Sequence, residues 1–168
     1  MIETLNMAKK NTNHIGTRGE SIFMIRITEF DLIEGFFLGD KAPIVDFYLD
    51  IVDGDESYQF LVQVKSTTLG YDGSGNLRVS VPVKKYKKLQ KKKLPTYVAG
   101  VDVNNEVVYI CSAFQEDKDM SSMPVKHCLK KSRPVRSKKT LELLRKDVIR
   151  YWSGKVTAEY KNKFKSCL

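Results

Sequence analysis

Cysteine is scarce in this chain: Cys111, Cys128 and Cys167 are an odd three with no Cys-x-x-Cys pair. That excludes a disulfide framework and a thiolate zinc centre, and makes a reducing, cytoplasmic setting the expectation. Histidine is scarcer still. His14 and His127 read as solvent or loop residues rather than ligands, and Cys128 beside His127 lacks the third partner of a Cys–His dyad. No apolar run approaches the roughly 18 residues of a membrane span. The opening stretch MIETLNMAKKNTNH lacks the apolar core of a secretory signal. Ten Gly and five Pro in 168 residues, with 42% apolar and 29% charged, exclude a collagen-like or wholly disordered chain. The Gly73/Gly75 loop has no Gly-Lys-Ser/Thr ending, and Lys65-Ser66 has no preceding glycines, so a phosphate-binding loop is absent too. The length suits one domain with an extension.

The charge is unevenly spread. The net of +9 divides into 15 Lys/Arg against 17 Asp/Glu over residues 1–120 and 14 against 3 over 121–168. A near-neutral body with a basic C-terminal quarter points to a polyanion, nucleic acid before membrane, because the basic quarter is not strongly apolar. A second cluster lies within the body: Lys84, Lys85, Lys87, Lys88, Lys91, Lys92 and Lys93. Either cluster alone also fits a solvated face.

Residues 1–12 read as a flexible start. Helical periodicity sets in at Asn13, a fitting N-cap, and runs through Ile15, Ile22, Phe23 and Ile27. Three strand-like runs follow: 32–38, broken by Gly35; 44–52, with Val45, Phe47, Leu49 and Ile51 on one face; and 58–67, also alternating. The DGDES segment between the last two makes them a β-hairpin. Pro82 opens a helix with Val83, Tyr86, Leu89 and Leu94 as its buried stripe, and Pro95 ends it. Residues 96–103 and 106–114 are strands around Asn104-Asn105. Residues 115–139 read as polar and irregular. A helix over 140–153 carries Leu141, Leu144, Val148 and Trp152 on one stripe and stops at Gly154. The order predicts an α/β fold, a mixed sheet with helices packed on it: a core at 13–114 and a basic segment at 115–168 with its own helix.

The hairpin carries the chemistry. Alternation puts Asp46 and Asp50 on one face of its first strand, and Gln63 and Lys65 on one face of its second. A turn centred between Gly54 and Asp55 sets Asp46 directly opposite Gln63, with Lys65 diagonal and within reach. A turn centre displaced by two residues brings Asp50 opposite Gln63 instead; the symmetric loop favours Asp46. A carboxylate, an amide oxygen and the Val64 carbonyl suit a hard divalent cation, and Lys65 could orient or deprotonate a water or stabilise charge on a phosphate. The same three residues also fit an ordinary solvated hairpin.

The segment PIVDFYLDIVDGDESYQFLVQVKST resembles the core of the PD-(D/E)XK, or restriction-endonuclease-like, nuclease superfamily. Pro43 to Asp46 stands for an expanded PD element, and Gln63-Val64-Lys65 for (D/E)XK with Gln in place of the acid. Gly16 to Glu20 resembles the Gly-x-x-x-Glu of archaeal-type Holliday junction resolvases, and VQVKST resembles a small prokaryotic group of uncharacterised domains with Gln-x-Lys. The resemblance spans residues 13 to about 110. It implies a mixed central sheet flanked by helices, a site of Asp46, Gln63, Lys65 and the helical Glu20, Mg²⁺ or Mn²⁺ as cofactor, and a homodimer.

The function expected from this is metal-dependent hydrolysis of phosphodiester bonds, in DNA. Asp46, Gln63 and the Val64 carbonyl, with Asp50 as the alternate, would hold the metal, and Lys65 would assist the water. Lys84, Lys85, Lys87, Lys88, Lys91 and Lys92, together with Lys130, Lys131, Arg133, Arg136, Lys138 and Lys139, would contact phosphates, which position a duplex without reading its sequence. Two readings compete: a non-catalytic nucleic-acid-binding or regulatory module on the same fold, and a subunit of a defence or repair assembly.

Overall fold

A computed structural model of the chain describes residues 2–39, 44–113 and 121–153; of residues 2–12, Val83, Tyr86 and Gln90 it describes the backbone alone. Pro43, Phe114, Gly154 and Cys167 lie outside the described residues. The elements are α1 (Ile2–Thr28), β1 (Ile33–Phe37), β2 (Phe47–Asp53), β3 (Glu56–Thr67), α2 (Val83–Gln90), β4 (Thr96–Asp102), β5 (Val107–Ser112), β6 (Cys128–Leu129) and α3 (Pro134–Trp152). The strands form one mixed sheet of six in the order β1-β2-β3-β4-β5-β6. Only β3 and β4 run parallel among these pairs, and the segment between them, which contains α2, makes the crossover that a parallel pair needs.

The sheet separates two cores. On one face α1 sets Ile22, Phe23 and Ile27, and α3 sets Leu141, Leu144 and Val148, against Phe47, Leu49, Phe60, Val62, Val64 and Tyr97. On the other, Leu77, Val79, Val81, Leu89 and Met123 cover Leu61, Val98, Val107 and Cys111. β4 is buried along its whole length, as a central strand covered on both faces should be. The Tyr97 hydroxyl donates to Asp147 Oδ2 at 2.6 Å and so ties β4 to α3. Among the described residues, no helix is long and apolar enough to cross a membrane.

The hairpin has the expected register. Asp53 faces Glu56 and Phe47 faces Val62, so the turn centres on Gly54 and Asp55, with Gly54 at φ 65°. Several boundaries differ from expectation. α1 begins at Ile2, so the segment expected to be flexible is helical and Asn13 is interior, not an N-cap. Its Leu, Met, Ala and Lys residues favour helix without forming a legible stripe. β2 starts at Phe47 rather than at residue 44, because Ile44 takes φ 88° and breaks the alternation. Val45 consequently packs in the second core, not on the face of Phe47. β1 runs straight through Gly35, where a Cβ would lie 2.2 Å from Leu49 Cδ2: the glycine permits close approach rather than breaking the strand.

The basic segment is also more ordered than its composition suggests. It contributes β6, and α3 starts at Pro134, six residues before the expected Thr140. The inner face of its first turns is polar. Ser137 is buried, accepts from the Lys130 N–H at 2.8 Å, and donates to the Lys130 carbonyl at 3.0 Å. Trp152, expected in the core, is 39% exposed and donates its indole N–H to the Gln59 carbonyl at 2.8 Å. Because Leu129, Leu141, Leu144 and Val148 join the main core, the segment 121–153 belongs to the same packed unit as the sheet.

Candidate functional site

The register carries Asp46 and Gln63 one step beyond the Phe47–Val62 pair, and the Asp46 N–H donates to the Val62 carbonyl at 3.0 Å. Asp46 Oδ2 then receives two donors: the Gln63 side-chain amide, and the Val64 N–H at 2.6 Å. The Gln63 Nε2 also donates to the Val64 carbonyl at 3.2 Å. The amide therefore bridges the two oxygens that sequence reasoning nominates as metal ligands. Both neighbours are acceptors, which fixes the orientation of the Gln63 side chain with its NH₂ toward them. Immediately upstream, the φ of 88° at Ile44 is strained for a β-branched residue, and such strain tends to sit beside functional sites.

Asp46 and Lys65 are half-buried and Gln63 is buried. Burial lifts the Asp46 carboxyl above the usual carboxylate range, against the pull of the Val64 N–H, Lys65, Gln63 and Lys85. Burial also depresses the Lys65 ammonium, and Lys85 acts in the same sense, while Asp46 and Glu20 oppose both. Asp46, Glu20 and the exposed Lys85 thus all act electrostatically on the half-buried Lys65, near the C-terminal end of β3.

Glu20 arrives there through an unusually close helix–strand contact. A Cβ on Gly19 would lie 1.8 Å from Ser66 Oγ, so α1 rests directly on the end of β3 only because residue 19 is glycine. Glu20 and Asp46 then line one groove of about 500 Å³ with Asn13, Gly16, Thr17, Phe37 and Gly39. A smaller depression of about 300 Å³ shares Thr17, Glu20 and Phe37 with it and adds Ser21, Met24 and Phe47.

Asp50 does not join this corner. It faces Gln59, two same-face positions along β2 from Asp46, and accepts from the Ser57 hydroxyl at 2.9 Å. The lysines divide. Lys84, Lys85, Lys87 and Lys88 are exposed on α2, and Lys85 acts electrostatically on both Asp46 and Lys65, which puts α2 beside the site. Lys91 and Lys92 are exposed just past the end of α2. Lys130, Lys131, Arg133, Arg136, Lys138 and Lys139 lie around β6 and the start of α3, with β4 and β5 between them and β3. Of these, Arg133, Arg136 and Lys139 wall a separate surface depression of about 390 Å³ with Pro134 and Val135.

Sequence reasoning missed Phe37, Thr17 and the Gly19–Ser66 contact. The adjacent aromatics Phe36-Phe37 in a short run were a visible signal; nothing local marks Ser66 as the partner of Gly19.

Among the described residues, no three His, Cys, Asp or Glu side chains are grouped to hold a metal ion. The donors are instead the Asp46 and Glu20 carboxylates lining the groove, with the Gln63 amide bridging Asp46 and the Val64 carbonyl beside them. That set fits Mg²⁺ or Mn²⁺, which bind through one or two carboxylates and keep several waters, and does not fit zinc. No family model, curated protein or solved structure matches the chain.

Proposed function

We propose that the chain is a Mg²⁺- or Mn²⁺-dependent nuclease that hydrolyses phosphodiester bonds, in DNA, on a restriction-endonuclease-like fold. The observation that carries the reading is that Asp46 and the helical Glu20 line one groove, with Gln63 bonded to Asp46 and Lys65 within electrostatic reach of both carboxylates. The element order supports it as well: a helix, a three-strand antiparallel meander, a helix and a strand parallel to the third.

Asp46, Glu20 and the Val64 carbonyl would hold the cation, and the Gln63 amide oxygen would join them once its side chain turns over and releases its hydrogen bonds to Asp46 and Val64. When bound, the metal would polarise the phosphate and lower the pKa of a coordinated water. The chain's own residues do the rest. Lys65, its ammonium depressed by burial, is suited to accept a proton from the attacking water or to neutralise charge growing on a phosphoryl oxygen. Lys85 and its α2 neighbours supply positive charge on the approach, so binding should weaken steeply as salt rises. The basic surface of β6 and α3 would extend the contact to more distant phosphates.

The test is cleavage of plasmid and branched DNA with Mg²⁺ or Mn²⁺ by wild type and by Lys65→Ala. Wild-type cleavage should fall by about 10²–10⁴-fold in the variant, with binding nearly unchanged. Equal cleavage by the two proteins sinks the assignment of Lys65.

One observation favours a second reading, a nucleic-acid-binding module without catalysis. The Gln63 amide already satisfies Asp46 and the Val64 carbonyl, so the corner is internally hydrogen-bonded with no cation. DNA binding by wild type with no cleavage under either metal would select that reading.

A further inference from the structure

The groove has two unlike halves. One part is polar, with Asp46 and Asn13; the adjoining depression adds Ser21, Met24 and Phe47 and is mainly apolar, and Thr17, Glu20 and Phe37 border both. Phe37 is 55% exposed, although Phe47 and Phe23 beneath it are buried. An exposed phenylalanine forgoes the burial that ordinarily stabilises it. It is nevertheless held in place: its ring rests on Phe47 at 5.2 Å between centroids, and Phe47 rests on Phe23 at 4.9 Å. A propped ring loses little conformational freedom when something stacks on it.

We infer that Phe37 is a stacking platform for an unpaired nucleobase next to the phosphate handled at Asp46 and Lys65, so that the substrate is a single strand or a junction with splayed nucleotides. This rests on the nuclease reading of the same site and adds the substrate class. A nucleobase matches both halves of the groove. Its π face suits Phe37, and its polar edge suits Asn13 and Thr17 on a rim whose two carboxylates are left to the cation. An acyl chain or an apolar helix would bury those carboxylates without a donor. Edge-to-edge pairing with a second copy along β1 would use the backbone edge, whereas Phe37, paired with Phe47, stands on the α1 face of the sheet.

The test is titration of the full chain, without divalent metal, into single-stranded DNA carrying one 2-aminopurine, and into the same strand as a duplex. Stacking should quench the base in the single strand and little in the duplex. Base–aromatic stacking removed by alanine typically amounts to about a 5- to 150-fold loss of affinity, so Phe37→Ala should bind that much more weakly and lose the quench. Phe37→Trp should restore both, and Phe37→Leu should not. The inference is overturned if Phe37→Ala binds and quenches as wild type does, or if Phe37→Leu binds equally well. It is also overturned if Phe37→Ala only turns a dimer into a monomer in sedimentation velocity. A protein that quenches but never cleaves with Mg²⁺ keeps the stacking subsite and loses the nuclease reading. One that cleaves with no dependence on Phe37 does the reverse.

Discussion

Two carboxylates lie near the C-terminal ends of the neighbouring parallel strands β3 and β4 and meet opposite fates. Asp102, at the end of β4, is 1% exposed. It accepts from the Asn104 N–H at 3.1 Å, the Asn105 N–H at 3.2 Å and the Asn105 side chain at 2.7 Å. Nearby, burial with Tyr109 and Asp102 beside it pushes the Tyr71 hydroxyl above its usual range, and that hydroxyl pairs with Tyr109 at 2.9 Å. Asp46, just before β2 and bonded to Val64 of β3, has both its side-chain hydrogen bonds among the described residues on one oxygen, borders open space and shares its corner with Lys65 and Glu20. A buried carboxylate surrounded by donors on its own turn fixes that turn; one held from a single side beside a groove remains available to a ligand.

The largest stability effect should come from the saturated site. Asp102→Ala leaves the Asn104 and Asn105 N–H groups without their acceptor. It should lower stability by about 2–3 kcal/mol, or about 5–10 °C in Tm for a chain of this size. Asp46→Asn should act in the opposite direction. The folded-state pKa of Asp46 is raised, so the stability it contributes is fully present below the ordinary carboxylate value of 3.8 and is lost as pH rises through the folded pKa. Near pH 7 and without metal, the asparagine variant should therefore melt above wild type, and the gap should close as the pH falls below that range. Thermal melts across pH decide it: Asp46→Asn melting below wild type at pH 7 would put Asp46 in the same structural class as Asp102.

Gln63→Glu sharpens the contrast further. It replaces a donor to Asp46 with a second carboxylate. Without metal, it should cost about 1.5–3 kcal/mol, the usual worth of a hydrogen bond to a charged group. Divalent cation should then stabilise the variant more than wild type; saturation at about 100 times Kd adds about 2.7 kcal/mol. Melts with and without Mn²⁺ measure both, and an equal cation-induced rise in the two proteins would remove Gln63 from the ligand set. Gly19→Ala tests the contact that delivers Glu20. Its Cβ would fall 1.8 Å from Ser66 Oγ, so overpacking should cost about 1–3 kcal/mol. Ser66→Gly in the same chain should recover most of the loss.

How far the sequence revealed this arrangement depended on the range of the determining contact. The β2–β3 register was legible because a two-residue turn and strict alternation determine it locally, and with it came the Asp46–Gln63 pair. The start of β2 was not, because alternation through Val45 gives no sign of the left-handed Ile44. The early start of α3 was hidden because Ser137 and Thr140, not leucines, fill its inner face. β6 was missed since two residues make no pattern. Glu20 needed the resemblance, and its route to the site needed the structure, because Gly19 and Ser66 are distant in sequence. The two basic clusters were legible as separate runs, but their places, one beside the groove and one beyond β5, needed the structure.

The smallest expected effect is at the other glycine of α1. A Cβ on Gly16 would meet nothing within 4 Å, yet the residue lies in a helix and borders the groove. Glycine inside a helix is less stable than alanine by about 0.5–1 kcal/mol, so Gly16→Ala should raise Tm by about 1–4 °C, opposite in sign to Gly19→Ala. A stabilising substitution left unused at a groove wall is understandable if bulk there obstructs what enters. Gly16→Leu should keep most of the helix gain while weakening single-strand DNA binding and cleavage together. If it melts higher than wild type and binds DNA unchanged, the wall at Gly16 is idle, and the ligand path runs instead between Lys65 and α2.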